Sequence, residues 1–335
     1  CCIIYLERSE YTLTIYRELC FKELSNFIDY CENEKKSSEN TVYNYFRDLL
    51  LFFRYMKFIK GKSTPAQEIE RIMITDIDVQ FLESISTEDI YRYIEYLKIK
   101  KNNSSTTVAR RVSSVKAFFR YLNITADVIS QDPSLKLQHP EITREPIKYI
   151  SESDCITLLK SITGLNSQRD YCIILIFINC GIRLNELISL NNSDIQPDGT
   201  VTIRGREESR TIYFNKSCME ALAEYSRYKK EYFKGKRYDH HAVFIGQGGK
   251  RLSGRWVELI VKKRMKKAGF TDKGLNPSNL RHTAATIMHK HGVDIATMRD
   301  ILGHSAISST EIYSEKNNSK IEIVMKNHCV DIPKK

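Results

Sequence analysis

The sequence has no apolar run long enough to cross a lipid bilayer. Its longest apolar stretch, YCIILIFINC at 171–180, is too short for a membrane span and predicts a buried helix instead. The first residues, CCIIYLERSEY, lack both a signal-peptide pattern and a starting methionine, so we expect a trimmed N-terminus. These features predict a cytoplasmic protein that does not contact a membrane.

The chain also lacks any CxxC pair among its nine cysteines, which are scattered along its length. A disulfide framework or a zinc site needs closely spaced cysteines, so the pattern favours buried, inert thiols in a reducing compartment. There is no P-loop and no cluster of carboxylates suited to a metal ion. We therefore expect no metal and no cofactor.

Acidic residues are too few to balance the basic ones. The 335 residues carry a formal net charge of +11, with a pI of about 9.1. A basic balance favours a polyanionic partner, and nucleic acid before a membrane surface. Charge alone leaves open a protein that is basic without binding a polyanion.

The periodicity of apolar residues predicts a mainly α fold with a small antiparallel β-sheet in the C-terminal domain. The length suggests two domains, which we place at 1–135 and 149–335, joined by a proline-containing linker at 136–148. The predicted helices are 37–61, 86–101, 104–122, 151–162, 168–180 and 255–269. The predicted strands are 201–205 and 210–214, which form a hairpin, and 241–246.

Two helices have basic faces that suit a phosphate backbone. The helix at 104–122 carries Arg110, Arg111 and Lys116 beside an apolar face. Residues 250–267 contain eight Lys or Arg and one Glu, the densest positive patch of the chain. The candidate DNA-binding residues are Arg110, Arg111, Lys116, Arg251, Arg255, Lys262 and Lys263. An ordinary solvated face remains the alternative for each helix.

Four side chains in the second domain suit an attack on a phosphodiester. Arg183 follows a glycine turn with Glu186 one helical turn on, Arg281 lies near the start of a helix, and LGHSAISSTEIY contains His304 and Tyr313. Arginine binds phosphate oxygens bidentately and stays charged at any working pH. Taken singly, Arg183 could be a surface ion pair with Glu186, and Tyr313 is one of nineteen tyrosines.

Together these residue types predict a reaction. Two arginines hold the phosphate, a histidine adds a hydrogen bond, and the tyrosine hydroxyl attacks phosphorus. The product is a phosphotyrosyl ester and a free hydroxyl on the other DNA end. Because the bond energy is stored in the ester, reversal needs neither ATP nor metal.

At these motifs the chain resembles the tyrosine recombinase (phage integrase) family, particularly its Xer-like and transposon-integrase members. The matching segments are CGIRLNELISL, NPSNLRHTAATIMHKHGVDIATMRDILGHSAISSTEIY and, more weakly, SENTVYNYFRDLLLFFRYM. The resemblance implies a helical core-binding domain followed by an α+β catalytic domain. It assigns phosphate binding to Arg183 and Arg281, the later histidine to His304, the nucleophile to Tyr313 and a supporting carboxylate to Glu186.

Two positions depart from the family pattern. Arg206 stands where the family usually has a hairpin lysine that serves as general acid, and Ser278 stands where it usually has a histidine. Arginine is a poor proton donor because its pKa exceeds about 12. Water or a nearby lysine, such as Lys250 or Lys273, is then the expected proton source. Losing general-acid help worth roughly 10²–10⁴-fold predicts a slow enzyme.

The resemblance also implies double-stranded DNA as substrate, a homotetramer on two DNA sites, and accessory DNA-bending proteins as further partners. Hypothetically, residues 320–328 dock on a neighbouring subunit; packing on their own domain is the alternative. Two other functions stay open: a DNA-binding protein with a degenerate site, and a topoisomerase-like nicking and closing enzyme.

Overall fold

The computed structural model describes residues 19–62, 68–138, 148–205, 209–270, 275–303 and 323–325. The chain divides into two compact units, Cys1–Glu145 and Pro146–Lys335. The first unit is helical in its described part, and the second combines helices with a two-stranded antiparallel sheet. The predicted fold class is confirmed. No helix in the described ranges is both long and apolar enough to cross a membrane.

Side-chain caps start the helices of the first unit. Ser38 accepts a hydrogen bond from the Thr41 N–H, and Ser86 and Asp89 cap each other's backbone in a reciprocal capping box. A 3₁₀ turn at Ile69–Arg71 and a π turn at Tyr121–Thr125 complete the unit's described helical segments. The helices are α1 (Lys22–Asn33), α2 (Glu39–Ile59), α3 (Val79–Glu83), α4 (Thr87–Ile99) and α5 (Ser105–Arg120).

An aromatic cluster forms the core of the first unit. Phe118 of α5 is fully buried and meets Phe27 and Phe53 edge-on, with ring centroids 5.4 and 5.3 Å apart. Phe52 and Tyr93 make a further edge-on pair at 5.2 Å. Edge-on packing aligns the positive ring edge with the negative face and adds to the gain from burial.

The second unit is built around one buried helix. This helix, α7 (Ser167–Cys180), has an almost continuous apolar run and packs against α9 (Lys216–Tyr232) and α11 (Pro277–Lys290). Asn276 caps α11, with Pro277 at its first position, and Asp294 caps α12 (Ile295–Leu302). The helices are α6 (Glu152–Lys160), α7 (Ser167–Cys180), α8 (Leu184–Ser189), α9 (Lys216–Tyr232), α10 (Gly254–Lys267), α11 (Pro277–Lys290) and α12 (Ile295–Leu302). Asn192–Asp194 forms a short 3₁₀ turn.

The sheet is the predicted hairpin. Strands β1 (Thr200–Arg204) and β2 (Ser209–Tyr213) run antiparallel, with Val201 opposite Ile212. The prediction of a third strand at 241–246 is wrong. Ala242 and Ile245 make only isolated bridges, to Asn191 and Arg251, because each lies beside a different loop.

A glycine turn brings α7, α11 and α12 together. Gly181 ends α7 in the left-handed region, at φ 59°. A Cβ on it would lie 2.6 Å from Leu302 Cδ2 and 3.3 Å from Ala284 Cβ, so only glycine fits between the two helices. The chain therefore leaves α7 directly beside the end of α12, and Arg183 follows two residues later.

The described part of the C-terminal tail packs on its own unit. Met325 is buried, and its sulfur accepts a hydrogen bond from the Tyr213 N–H at 3.4 Å. Val324 also lies against this core, whereas Ile323 is exposed. Val324 and Met325 thus pack within one unit, which is the alternative to docking on a neighbouring subunit. Residues 320–322 and 326–328 of the predicted docking segment lie outside the described residues.

Phe118→Ala is expected to destabilise the first unit by about 3–5 kcal/mol, because it leaves a cavity among packed rings. In hydrogen–deuterium exchange on the full chain, amides of α2 and α5 that exchange through unfolding should lose roughly a hundredfold or more of their protection. Phe58→Ala is the matched control, since Phe58 is 40% exposed. Equal effects of the two substitutions would contradict this account of the core.

Candidate active site

Arg183 and Glu186 form one unit at the start of α8. The Glu186 carboxylate accepts hydrogen bonds from the Arg183 main-chain N–H at 2.7 Å and from its Nη1 at 2.9 Å. Glu186 is buried, while the Arg183 side chain is 41% exposed. The carboxylate thus orients a guanidinium that still faces solvent.

Arg281 reaches the same place from α11. Its Nη1 donates to the Gly181 carbonyl and its Nη2 to the Leu302 carbonyl, both at 2.6 Å. Burial lowers the pKa of Arg281 to about 10; the positive charges of Arg183 and Arg210 add to this, and Glu186 opposes it. Arg281 therefore remains charged near neutral pH.

A third arginine, Arg210 of β2, was missed in the sequence analysis. Its Nη1 and Nη2 bind the two oxygens of Glu186 at 2.6 and 2.9 Å, and its Nε donates to the Ile301 carbonyl at 3.1 Å. Arg210 lies four residues beyond Arg206, which drew attention through the family pattern. An arginine in the predicted strand RTIYF, whose later residues are apolar, was the signal that could have found it.

The three arginines converge on the C-terminal end of α12. Arg210 donates to the carbonyl of Ile301, Arg281 to that of Leu302 and Arg183 to that of Gly303. The last carbonyls of a helix lack partners within it and carry partial negative charge. The site thus combines the end of α12 with residues from α8, β2 and α11.

Glu186 is held ionised by its neighbours. Burial by itself raises the pKa of Glu186, but hydrogen bonds from the Arg210 side chain and the Arg183 backbone outweigh it and hold the pKa at about 2. The carboxylate therefore keeps its charge, and its hold on both arginines, throughout the neutral range.

An open cavity of about 850 Å³ lies beside the arginines. Ser278, exposed in the first turn of α11, lines it. The Ser278 N–H is bound to the Asn276 side chain at 2.9 Å. Lys262 and Lys266, exposed on α10, also line the cavity, together with Arg183 and Arg281. The cavity thus gathers four cationic side chains and a hydroxyl.

Three residues of the predicted site lie outside the described part of the chain: Arg206, His304 and Tyr313. Their assignments stay predictions. His304 directly follows Gly303, whose carbonyl Arg183 binds.

The residues of the first unit that are predicted to bind DNA interact with groups of the protein itself. Asp48 is buried and accepts a hydrogen bond from Arg110 and, at 2.8 Å, from the Ser114 hydroxyl. Arg111 is 19% exposed and lies 3.8 Å from the same carboxylate. Lys116 donates to the Leu137 carbonyl at 2.7 Å. Arg110, with 45% of its side chain exposed, is the most accessible of the three basic residues.

In the second unit the predicted DNA contacts divide into two kinds. Arg251 donates to the carbonyls of Ile188 and Leu190 at 2.9 and 3.0 Å, so it caps the end of α8. Arg255, Lys262 and Lys263 are exposed on α10. The α10 residues are therefore the better placed to meet a phosphate backbone.

Comparison with known proteins gives family matches over both units. Residues 148–320 match the phage integrase family, and residues 67–124 match the N-terminal SAM-like domain of phage integrases. The chain is 38% identical over 322 residues to tyrosine recombinase XerC of Caldanaerobacter subterraneus subsp. tengcongensis, covering 93% of this chain and 90% of the relative. It is 30% identical over 310 residues to tyrosine recombinase XerC of Leptospira interrogans, covering 90% and 91%.

Two solved structures share the fold. One is the XerH site-specific recombinase bound to difH substrate, with a TM-score of 0.62 at 18% identity, covering 88% of this chain and 82% of that one. The other is the Tn1549 transposon integrase with transposon right end DNA, with a TM-score of 0.63 at 17% identity, covering 85% and 92%.

Glu186→Gln is expected to lower the free energy of unfolding at pH 7 by about 3 kcal/mol, since a pKa near 2 instead of 4.5 favours the folded state by that order. A carboxylate whose pKa is lower in the folded than in the unfolded state stabilises the folded protein fully at pH values above the unfolded pKa. The difference in unfolding free energy between wild type and variant should therefore shrink as the pH falls from 4.5 toward 2. Urea unfolding between pH 7 and 3 measures it. Glu224→Gln, on an exposed part of α9, should change little; a pH-independent Glu186→Gln effect would refute the linkage.

Proposed function

The chain belongs to the phage integrase family and is a tyrosine-type site-specific recombinase, and we propose that Tyr313 breaks and rejoins DNA strands through a 3′-phosphotyrosyl bond. The observation that carries this proposal is the convergence of Arg183 and Arg281 on the end of α12. The chain runs from that point directly into His304, with Tyr313 nine residues further. Two cations are therefore in place where the nucleophile's segment begins.

In the proposed reaction Arg183 and Arg281 hold the non-bridging oxygens of the scissile phosphate. Within the described residues, Arg183 uses Nη1 for Glu186 and Nη2 for Gly303, and we assign the remaining donors of its 41% exposed side chain to a phosphate oxygen. His304 supplies a further hydrogen bond. Guanidinium donors in fixed positions stabilise the charge that develops on these oxygens during attack.

The covalent step exchanges one phosphorus–oxygen bond for another. The Tyr313 Oη forms a bond to phosphorus while the bond to the 5′-oxygen breaks, so the tyrosine loses a proton and the leaving oxygen gains one. Free tyrosine has a pKa near ~10, and nearby guanidinium groups favour the phenolate. We assign electrostatic stabilisation of the leaving oxygen to Arg206 and a hydrogen bond to Ser278. Water or a lysine, Lys250 or Lys273, supplies the proton.

We further propose that the substrate is double-stranded DNA, that a homotetramer acts on two sites in the cytoplasm, and that accessory DNA-bending proteins assist. The DNA-bound structures that share the fold support the substrate class. The first unit is assigned to core-site binding and the second to catalysis. A mobile-element role and a chromosomal role both fit this chemistry.

Covalent trapping tests the proposal. The protein, incubated with nicked suicide duplexes drawn from the DNA that flanks its gene, should give an adduct on a denaturing gel, and Tyr313→Phe should give none. Tyr228→Phe is the matched control and should keep the adduct. Tyr228 lies on α9, and its hydroxyl donates a hydrogen bond to the Asn166 Oδ1 at 3.3 Å.

Tight binding without an adduct on any bound duplex would refute the proposal and favour a degenerate, DNA-binding protein. An adduct lost equally in Tyr228→Phe would show that folding, not the nucleophile, was affected. Relaxation of supercoiled DNA without exchange between paired sites would favour a topoisomerase-like enzyme instead.

Lys262→Gln, on the exposed face of α10, is expected to weaken DNA binding and to lower the slope of log Kd against log salt by about 1, because one phosphate contact is lost. Fluorescence anisotropy at several salt concentrations measures both quantities. Lys234→Gln removes the same charge at an exposed site just after α9, outside the cavity, and should leave the slope unchanged. Equal slopes for wild type and Lys262→Gln would contradict the assigned contact.

A further inference from the structure

Arg210 joins three elements that carry the proposed chemistry. It stands on β2, binds both oxygens of Glu186 on α8, and donates from Nε to the Ile301 carbonyl at the end of α12. Each of its three guanidinium nitrogens therefore has a protein acceptor. Its side chain is only 14% exposed, compared with 41% for Arg183. This geometry suits a residue that links elements of the protein better than a residue that binds DNA.

Gly303 shows how closely the main chain passes this guanidinium. A Cβ at Gly303 would lie 2.9 Å from Cζ, Nε and Nη1 of Arg210, closer than real Cβ contacts allow. Gly303 also has a φ of +64°, which favours glycine. The chain thus leaves α12 in direct contact with the Arg210 guanidinium, one residue before His304.

Glu186 transmits the position of Arg210 to the phosphate clamp, which is the pair Arg183 and Arg281 proposed above to hold the scissile phosphate. The Oε1 atom accepts from both Arg210 Nη1, at 2.6 Å, and Arg183 Nη1, at 2.9 Å. A shared acceptor couples the two guanidinium groups, so a displaced Arg210 leaves Arg183 with a less constrained partner. The same displacement releases the Ile301 carbonyl.

We propose that Arg210 is a positioning residue that aligns Arg183, through Glu186, with the chain leaving α12 toward Tyr313. The proposal rests on the function proposed above and extends it to a residue outside the assigned phosphate clamp. Arg210 sets the geometry between clamp and nucleophile without itself binding the phosphate.

A pH profile separates this role from simple stabilisation. The charged groups that face Glu186 are Arg183 beside α8, Arg210 on β2 and Arg281 on α11. Burial raises the Glu186 pKa, and Arg210 provides the strongest opposing interaction. Without Arg210 the Glu186 pKa should rise, so cleavage should be lost at a higher pH as the solution is acidified.

The experiment measures single-turnover adduct formation and DNA Kd on one suicide duplex that wild type cleaves. Arg210→Gln should cleave about 10- to 100-fold more slowly, the range expected for displacement of about 1 Å. Its Kd should stay close to that of wild type, and the acidic limb of its rate profile should move to higher pH. Arg210→Lys keeps the charge but not the two-point contact with Glu186, so it should recover part of the rate.

Arg264→Gln is the matched control. Arg264 is also buried, binds Asp170 through Nε at 2.8 Å and Nη2 at 2.6 Å, and donates to the Thr163 carbonyl at 2.9 Å. Within the described part of the chain, Arg264 has no hydrogen bond or ion pair with α12. Its loss should lower the melting temperature but leave the cleavage rate, measured well below melting, and its pH profile unchanged.

Each outcome decides between the two proposals. No adduct with wild type overturns both. A wild-type adduct together with normal cleavage by Arg210→Gln overturns the positioning role alone. A weaker Kd with a salt slope lower by about 1 would make Arg210 a phosphate ligand and also overturn it. If Arg210→Gln does not fold, Arg210→Lys decides: a wild-type rate and pH profile would overturn the positioning role.

Discussion

The site depends on keeping three like charges beside one another. Arg183, Arg210 and Arg281 meet around one carboxylate, that of Glu186, and mutual repulsion would separate them without compensation. Two features of the protein supply negative charge that offsets this repulsion. Glu186 binds two of the guanidinium groups directly, and the last carbonyls of α12 accept a hydrogen bond from each of the three. The end of a helix carries about half a negative charge, so it suits this task.

The compensation is incomplete, which suits the proposed reaction. Three guanidinium groups face one carboxylate and the fractional charge of a helix end, so the cluster remains positive. In the proposed reaction a phosphodiester supplies further negative charge and its attacked form supplies more, so a positive cluster of this kind would bind the transition state more strongly than the substrate. Arg281 illustrates the cost: burial and the charges of Arg183 and Arg210 lower its pKa to about 10, which still leaves it charged at neutral pH.

Much of this arrangement was predictable from local sequence, and the rest was not. The turn at Gly181, the helix starting after Arg183 and the hairpin each follow from a few adjacent residues. Arg210 was missed because its partners, Glu186 and Ile301, are remote in sequence, and a strand pattern does not reveal which buried carboxylate an arginine meets.

The same limit applies in the helical unit. Arg110 and Arg111 are predicted to meet a phosphate backbone, and that stays a prediction; their closeness to Asp48, which precedes them by about sixty residues, did not follow from the helix pattern. Likewise the apolar stretch at 241–246 has strand composition, yet its neighbours are single bridges to separate loops. Local composition indicates which segments are buried, but it does not indicate which remote polar groups will pair with them.

The replacements at the proton-transfer positions are compatible with recombination for a thermodynamic reason. With Arg206 and Ser278 in their proposed roles, protonation of the leaving oxygen relies on water or a neighbouring lysine, which raises the barrier to cleavage. Religation is the reverse of the same step and crosses the same transition state, so both directions slow by an equal factor. The balance between intact DNA and the phosphotyrosyl ester is therefore unchanged by the weaker acid. A recombinase needs that balance more than speed, because the intermediate must persist while partners exchange strands. In the proposed reaction the group that cannot be lost is therefore the pair Arg183 and Arg281, which Glu186 and the end of α12 hold in place.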